Sequence, residues 1–354
     1  MAVLVDLRSD LLSPPTPSMI RAMSAAMRRP QVFGLREDKQ QRALEERVAD
    51  LTAMEDALLF PTCTMANQAA IQTLCRPGRT VLLDATSHIA TSEAGGPAAL
   101  AGLTLQPVPA ERGRMDPAAL AAALAAPADA LRARPGLIVL ENTHNRSGGG
   151  VLPPSYHRRV RRLAAGAGIP IHLDGARLFN AAVAAGRPVR DFTRPMTSVA
   201  LSLNKGLCAP LGAMLAGPKG FIAEALAVRQ RLGGGIRPTG AVAAAGLIAI
   251  ETMIDRLGQD HANAKRLARA LAEIGVACED VETNLVVVLT EAFGIEAAAS
   301  VRRLADAGLL ALAFGPGRIR LAVHRGIGRR EIERTVRAFA SVARPVRGGK
   351  GRGR

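Results

Sequence analysis

The sequence predicts an α/β protein, in which helices pack on a mainly parallel β-sheet and a smaller α+β domain follows. Two observations support this prediction. In the middle of the chain, short apolar runs alternate with helix-patterned stretches, which is typical of helices on a parallel sheet. After the segment GGGIRPTG (233–240), the pattern changes to two long helices rich in Ala, Leu and Arg. With 354 residues and 48% apolar content, the chain can bury a large core and form two or more domains.

Six segments in the first part of the chain are predicted strands, because each is a short apolar run next to turn residues. They are residues 57–60, 80–84, 136–141, 170–174, 197–203 and 212–216. Helices are predicted at 116–126 and 154–167, and each has a proline early in the segment, where a first helical turn tolerates it. This order of elements predicts the α/β core.

The second part of the chain is predicted to be the smaller domain. Its expected elements are helices at 241–257 and 259–274, a strand at 285–289, a helix at 295–307, short strands near Leu310 and Ile319, and a closing helix at 330–342. The predicted domains are therefore 1–240 and 241–344. Residues 345–354 are expected to be a flexible basic tail, because they are rich in Gly and Arg and almost without apolar residues.

Composition argues against several classes of protein. The chain has no stretch of about 18 to 20 uncharged apolar residues, and its beginning, MAVLVDLRSD, becomes acidic too early for a secretory signal. The four cysteines lack the spacing of a zinc site or of a disulfide framework, so we expect reduced thiols, no metal and a cytoplasmic location. The net charge of +16 leaves a cofactor-free nucleic-acid-binding protein as an alternative. That alternative is disfavoured because the arginines are dispersed and aromatic residues make up only 3% of the chain.

One lysine lies in an unusual setting. The run SLNKGLCAPLG (202–212) places Lys205 among apolar residues and glycine with no acidic neighbour. An apolar setting disfavours the ammonium form, and an unprotonated amine can form an imine with an aldehyde. The alternative is a surface lysine whose stem packs on apolar residues. Of the 46 basic residues only five are lysines, and they are Lys39, Lys205, Lys219, Lys265 and Lys350.

Two further segments bear on this lysine. In PIHLDGARLFN (170–180), Asp174 ends a predicted buried strand, at the sheet edge where ligands of open α/β sheets bind. Such an aspartate can hold a proton on a pyridine nitrogen, or it can simply cap the next helix. In TCTMANQ (62–68), Thr62 and Thr64 flank the start of a helix, which offers backbone N–H groups and hydroxyls to a phosphate, although a threonine there is often only a cap.

An aldehyde-binding lysine, an aspartate for a pyridine nitrogen and a phosphate site are the three anchors that pyridoxal phosphate requires. With these anchors in place, the chain resembles the threonine aldolase family, also called aromatic amino acid beta-eliminating lyase/threonine aldolase. The resemblance rests on ordered motifs, which are DLRSD (6–10), TMANQ (64–68), SHI with EAGG (87–96), ENTHNRSGG (141–149), HLDGARLFNAA (172–182), KGLCAPLG (205–212), LGGGIRPTG (232–240) and IRLAVH (319–324).

The resemblance implies a fold and a set of roles. The expected fold is that of fold-type I pyridoxal-phosphate enzymes, with a mainly parallel seven-stranded sheet in the large domain. Lys205 would be the Schiff-base lysine, Asp174 would pair with the pyridine nitrogen and His88 would stack on the cofactor ring. The other expected cofactor-binding residues are Thr62, Cys63, Thr64, Arg177, Ser202 and Arg237. The expected substrate-binding residues are Ser9, His144, Arg177 and Arg320, and His144 joins Lys205 and His88 as a catalytic residue.

Each of these roles has a structural alternative. His88 could satisfy loop carbonyls, although a neutral imidazole against the ring could also accept a proton. Arg177 could pair with Asp174. Arg320 lies in a short apolar strand, where either a substrate carboxylate or a neighbouring acid could pair with its guanidinium.

The chain departs from the family pattern at several positions. Thr62, Cys63 and Thr64 stand where the family commonly has Ser-Gly-Thr, so the loop loses the residue best suited to positive φ. Leu11 replaces the usual Thr, Phe33 the usual Tyr and Asn204 the usual Ser. We expect these differences to affect the substrate more than the cofactor.

The resulting prediction is a cytoplasmic lyase of amino acid metabolism. It would use pyridoxal phosphate to cleave L-threonine, L-allo-threonine or a related β-hydroxy-α-amino acid to glycine and an aldehyde. The alternative within the same superfamily is β-elimination or another reaction at Cα of a small amino acid. The resemblance also implies a homotetramer, a dimer of dimers with shared active sites to which Arg237 would contribute, and no membrane partner.

Overall fold

The computed structural model describes residues 4–30, 32–125 and 131–343. The expected tail at 345–354 and the last residue of the expected helix at 116–126 lie outside these ranges. The strands are β1 Val5–Asp6, β2 Asp56–Phe60, β3 Thr80–Leu83, β4 Thr104–Pro107, β5 Ala110–Glu111, β6 Arg114–Met115, β7 Pro135–Glu141, β8 Ile171–Gly175, β9 Ser198–Ser202, β10 Ala213–Gly217, β11 Leu285–Leu289, β12 Leu309–Leu310, β13 Leu312–Ala313 and β14 Arg318–Ala322.

The helices fill most of the segments between these strands. They are α1 Pro17–Met27, α2 Lys39–Thr52, α3 Cys63–Leu74, α4 His88–Thr91, α5 Gly96–Ala101, α6 Pro117–Ala125, α7 Pro154–Ala167, α8 Leu178–Ala185, α9 Arg190–Thr193, α10 Lys219–Arg231, α11 Gly240–Thr252, α12 Leu257–Glu273, α13 Ala297–Asp306 and α14 Arg329–Val342. Short 3₁₀ helices occur at Asp10–Leu12 and Thr290–Phe293. No helix among the described residues is both long and apolar enough to span a membrane.

The larger unit, residues 13–258, is built on a seven-stranded sheet with the order β2-β10-β9-β8-β7-β3-β4. Strand β10 is antiparallel to β2 and β9, and the pairs from β9 to β4 are parallel. Six strands therefore run in one direction and end at the same edge. The predicted mainly parallel, seven-stranded sheet is confirmed.

Helices cover both faces of this sheet, because alternate residues of a strand point to opposite faces. In β2, Ala57 and Leu59 belong to one apolar cluster, whereas Leu58 and Phe60 belong to another. The first cluster includes buried residues of α1, α2, α7, α8 and α11, and the second includes those of α3 and α10. Strands buried on both sides read as continuous apolar runs, which is why the sequence revealed six of the seven.

The smaller unit contains residues 4–12 and 259–343 of the described chain. Its three-stranded sheet has the order β11-β14-β13, and β1 forms a separate parallel pair with β12. Helices α12, α13 and α14 contribute Leu267, Leu304 and Phe339 to its core. The unit is therefore α+β, as expected.

The units are divided differently from the expected domains 1–240 and 241–344. The division falls after Gly258, because α11 packs against α1 and α2 and buries Ala243, Ala245 and Ala249 in the core of the larger unit. The first residues belong to the smaller unit because β1 pairs with β12. The change of composition near residue 240 marked a new helix and not a new unit.

A buried histidine makes the stability of the larger unit dependent on pH. His157 in α7 donates from Nδ1 to the carbonyl of Phe192 at 2.9 Å, and burial lowers the pKa of His157 to about 4. The unfolded chain, with a histidine pKa of about 6.5, binds more protons between these values. We expect the free energy of unfolding to fall as the pH decreases from about 6.5 to about 4, by up to about 3 kcal/mol for this one group.

The substitution that tests this is His157→Gln, because glutamine supplies an amide N–H donor in place of the imidazole N–H and cannot become charged. Urea unfolding followed at several pH values should give a smaller loss of stability toward pH 4 than in the wild-type protein. The same pH dependence in both proteins would show that His157 does not carry the effect.

Candidate active site

Polar residues gather at the edge of the larger sheet where the parallel strands end. Glu141 and Asp174 end adjacent strands and are direct partners in the β7–β8 register. Asp84 follows β3, and Ser202 ends β9. Because parallel strands deliver their carboxyl ends to one edge, residues distant in sequence come together here.

Asp174 is the most deeply placed of the expected cofactor-binding residues, with 2% of its surface exposed. Its Oδ2 accepts a hydrogen bond from Nδ2 of Asn67 at 3.0 Å, and its Oδ1 accepts one from the backbone N–H of Ala176 at 3.1 Å. The bond to Ala176 closes a local turn and is not the helix cap of the alternative interpretation, because the N-cap residue of α8 is Arg177. The bond to Asn67 comes from a different helix and holds the carboxylate at the sheet edge.

Lys205 lies in the loop that follows β9 and is partly buried. The loop closes on itself through backbone hydrogen bonds from Cys208 to Lys205 and from Leu203 to Gly212. Lys205 is close enough for its charge to act on the Cys63 thiol, which the charge of Asp174 also reaches. The structure therefore brings Lys205, Asp174 and Cys63 into one neighbourhood.

The start of α3 forms one side of this neighbourhood. Thr62 is the N-cap residue, and its Oγ1 accepts a hydrogen bond from the N–H of Met65 at 3.1 Å. Thr62 and Thr64 are exposed, and the Cys63 thiol lies 4.0 Å from Oδ1 of Asp174. Burial raises the pKa of this thiol, and the Asp174 charge adds to the increase, while Lys205 opposes it. Cys63 is therefore a neutral thiol at neutral pH.

Cys63 replaces the usual glycine of the family without strain in the backbone. Cys63 is the first helical residue of α3 and is not among the non-glycine residues with positive φ, which in the described chain are Ala53, Ala94, Arg112 and Cys208. A side chain is tolerated because a helical first residue needs no left-handed conformation. The replacement of glycine thus changes what fills the site and not the path of the backbone.

His88 begins α4 and is held through both its backbone and its ring. Its backbone N–H donates to Glu141 at 2.6 Å, and Nδ1 lies 2.9 Å from Oε1 of Glu93. The hydrogen bond with Glu93 raises the pKa of His88, and the charges of Asp174 and Glu141 add to the increase, whereas burial opposes it. Nδ1 therefore carries the proton toward Glu93, and Nε2 is the ring nitrogen that does not face this carboxylate.

His144 lies deeper than its expected role in lining the pocket suggested, with 1% of its surface exposed. Its Nδ1 is 3.0 Å from Oγ of Ser147, and its Nε2 is 3.4 Å from Oδ2 of Asp84, longer than most hydrogen bonds. Gly113 packs directly on the ring, and a Cβ at that position would overlap it. Both ring nitrogens thus face residues of the protein.

Three other expected residues of the larger unit are also placed. Ser202 is buried and forms a hydrogen bond with Cys63. Arg177 follows β8 at the beginning of α8 and is buried. Arg237 is exposed, lies 5.2 Å from the ring of Phe33 and donates to the backbone carbonyl of Phe33.

Ser9 and Arg320 belong to the smaller unit. Oγ of Ser9 accepts a hydrogen bond from the N–H of Leu11 at 3.2 Å. Arg320 is buried in β14, donates from Nη2 to the carbonyl of Arg8 at 2.9 Å and lies 5.2 Å from the ring of Phe314. Arg320 therefore has partners within its own unit.

Sequence reasoning missed the role of Glu93 and Asn67. Both residues stand inside quoted motifs, EAGG and TMANQ, but only the structure shows that their side chains meet. Nδ2 of Asn67 donates to Oε1 of Glu93 at 2.8 Å as well as to Asp174, and Nε2 of Gln68 donates to Oε2 of Glu93 at 2.6 Å. A buried carboxylate needs such donors. An acid five residues after the candidate histidine was the available signal.

The residues at this edge fit pyridoxal phosphate. A buried carboxylate for a pyridine nitrogen, a nearby lysine amine and the N-terminal end of α3 with exposed Thr62 and Thr64 are all present within one unit. The helix start favours an anion because its first N–H groups point outward. The observed donor set therefore matches the three anchors expected from the sequence.

Comparisons with known proteins agree with this geometry. The sequence profile of the family described as beta-eliminating lyase matches residues 6–292. The low-specificity L-threonine aldolase 1 of Arabidopsis thaliana is 37% identical over 342 residues, which cover 95% of each chain.

Two solved structures show the same fold. The threonine aldolase of Leishmania major superposes with a TM-score of 0.83 at 18% identity, over 96% of this chain and 99% of the other. A serine palmitoyltransferase from S. paucimobilis, whose structure contains pyridoxal phosphate, superposes with a TM-score of 0.75 at 20% identity, over 96% and 87%. The chain therefore belongs to the beta-eliminating lyase family and has the fold of the fold-type I pyridoxal-phosphate enzymes, as its motifs predicted.

Proposed function

We propose that this protein is a pyridoxal-phosphate-dependent aldolase that cleaves L-threonine, L-allo-threonine or a related β-hydroxy-α-amino acid to glycine and an aldehyde. The observation that carries the proposal is the meeting of Asp174, Lys205 and the His88–Glu93 pair at one edge of the sheet. The 37% identity to a plant enzyme named L-threonine aldolase supports the substrate class.

The residues would divide the work as follows. Lys205 would hold the cofactor through its amine, and Asp174 would face its ring nitrogen. The N-terminal end of α3, with Thr62, Cys63 and Thr64, would bind its phosphate, and Ser202 would be a further cofactor-binding residue. Once bound, the cofactor supplies an electron sink for the electron pair of the broken bond. Arg177 and Arg237 remain proposed cofactor-binding residues. Ser9 and Arg320 remain proposed carboxylate-binding residues on the resemblance alone.

Removal of the proton from the β-hydroxyl is the step in which the role of the protein's own residues is clearest. His88 has Nδ1 fixed by Glu93, so Nε2 would accept this proton, directly or through water. The negative Glu93 stabilises the imidazolium that results. His144, with both nitrogens turned toward Ser147 and Asp84, would then act by shaping the pocket.

The assembly and location of the enzyme are part of the same proposal. We infer a cytoplasmic homotetramer with active sites shared between subunits, in which Arg237 contributes from a neighbouring subunit. The exposure of Arg237 and its contact with the exposed Phe33 ring are consistent with a surface that another subunit covers. Sedimentation or light scattering of the purified protein tests the assembly.

Incubation of the purified enzyme with threonine and, separately, with cysteine-type substrates tests the reaction. We expect glycine and acetaldehyde from threonine. The competing reaction in the same superfamily, β-elimination, would give pyruvate from the cysteine-type substrates, so pyruvate without aldehyde would refute the aldolase.

Substitution of the lysine tests how the cofactor is held. In Lys205→Ala we expect loss of the visible absorbance of the bound cofactor and at least about a 10²-fold loss of kcat/KM, because no amine remains to bond the aldehyde. Borohydride reduction followed by peptide mass spectrometry should label the peptide that contains Lys205. The control is Lys219→Ala, an exposed lysine at the start of α10, which should keep the absorbance and the label. A label on any other lysine would contradict the assignment.

Removal of one carboxylate tests the assignment of the base. The hydrogen bond with Glu93 raises the pKa of His88, and His88 must be unprotonated to act as a base. In Glu93→Gln we expect the pKa of His88 to fall by about one unit. The acidic limb of the kcat/KM profile should therefore move to lower pH. Glu111→Gln, which changes an exposed carboxylate, is the control. An acidic limb that stays in place in Glu93→Gln would show that His88 does not set it.

A further inference from the structure

Asn67 lies between two buried carboxylates. Its Nδ2 donates one hydrogen to Oε1 of Glu93 at 2.8 Å and the other to Oδ2 of Asp174 at 3.0 Å. The residue is 1% exposed, so no water shell replaces these bonds. One amide group thus serves two negatively charged neighbours, of which one lies in the loop after α4 and the other in β8.

The direction of this amide is set from its other side. Since both hydrogens of Nδ2 are used, Oδ1 of Asn67 must accept, and its partner is Nε2 of His172 at 3.0 Å. Nδ1 of His172 then accepts from Oγ of Ser198, which lies 2.8 Å away. Burial lowers the pKa of His172 to about 4, so its ring stays neutral with a single proton on Nε2. The chain of hydrogen bonds from Ser198 to Asp174 therefore has one consistent direction.

This row of hydrogen bonds reduces the repulsion between two carboxylates that lie close together. The ligand-type atoms of His88, Glu93 and Asp174 lie within 4.8 Å of one another. Two carboxylates this close in a buried setting repel each other. Donated hydrogens on each carboxylate reduce the repulsion, and Asn67 supplies one to each.

We propose that Asn67, oriented by His172, is a positioning residue that lets Glu93 and Asp174 carry their charges together, and so fixes the charge that His88 and the cofactor ring encounter. For the part that concerns the cofactor, the inference rests on the proposed function. The hydrogen-bonded cluster itself is a property of the chain without any cofactor.

Other titratable groups around the cluster come from each element packed against it. They are Cys63 of α3, Glu141 of β7, His172 of β8, Lys205 of the loop after β9 and His144, which acts on Glu141. Cys63 and His172 remain neutral near pH 7 because burial shifts the pKa of each away from that range. Glu141 and Lys205 are common to every variant described below.

The test is a titration of the His88 ring by NMR in the cofactor-free protein. The His88 signal is assigned by its loss in His88→Gln. In Asn67→Leu, which removes both donated hydrogens at similar volume, we expect the pKa of His88 to rise by about one unit, because the negative charges of Glu93 and Asp174 lose the hydrogens that offset them and favour the imidazolium more strongly. In Asn67→Asp, which adds a third carboxylate, the rise should be larger.

Two further variants test the separate contributions of the donated hydrogens of Asn67 and of the His172 ring. Asn67→Ser keeps one donor, so the pKa of His88 in this variant should lie between its values in the wild-type protein and in Asn67→Leu. This variant also provides the test if Asn67→Leu does not fold. His172→Phe removes the orienting donor and should give a smaller rise of the same sign. The matched control is Gln72→Leu, which removes an amide from the same helix that donates to the backbone carbonyl of Gln68 and not to a carboxylate of the cluster. This variant should leave the pKa of His88 unchanged.

The outcome separates this role from a purely structural one. A folded Asn67 variant with a lowered melting temperature and an unchanged pKa of His88 would overturn the inference. In the holoenzyme the acidic limb of kcat/KM should move to higher pH in Asn67→Leu, opposite to the shift expected for Glu93→Gln. If the His88 shifts occur but threonine is not cleaved by the wild-type protein, the proposed function fails and the inference about the cluster stands.

Discussion

The burial of the Asp174 carboxylate is the constraint on which the rest of the site depends. An ionised carboxylate removed from water is strongly unfavourable unless donors surround it. Here the donors are the side chain of Asn67 in α3 and the backbone of Ala176. Because the first of these comes from another element, the carboxylate is satisfied only when α3 is docked on the sheet. The start of α3, where a phosphate would bind, is thereby fixed relative to the residue that would face the cofactor ring.

Much of the fold could be predicted because burial on both faces makes a strand a continuous apolar run. The edge strand β4 was missed because most of Thr104–Pro107 is exposed and because it ends in proline, so its sequence resembles a loop. Asp174 was found because it lies at the end of a buried apolar run, and Lys205 because it is a charged residue in an apolar, glycine-containing run. The amide partners of Glu93 could not be predicted, since Gln68 and Asn67 are 25 and 26 residues away in sequence and no local pattern indicates such a contact.

The departures at Cys63 and Phe33 have different physical consequences. Cys63 keeps an ordinary helical backbone and adds a neutral thiol beside Asp174 and Ser202, in space that a glycine would leave open. Phe33 is 84% exposed and stacks with Arg237, so it offers the guanidinium an aromatic face without a hydroxyl. The first change affects the surroundings of the cofactor site, and the second affects a surface.

The histidines of this protein show that the surroundings of an imidazole ring can either lower or raise its pKa. Burial lowers the pKa of His157, His172 and His261 to about 4, so these rings stay neutral, and those of His157 and His172 serve as directional hydrogen-bonding groups. His88 is also largely removed from solvent, yet its pKa is raised, because Glu93 bonds to its ring. A base that works near neutral pH needs this second environment. The amides of Asn67 and Gln68 offset the cost of burying Glu93, so residues that do not bond to the His88 ring support its raised pKa.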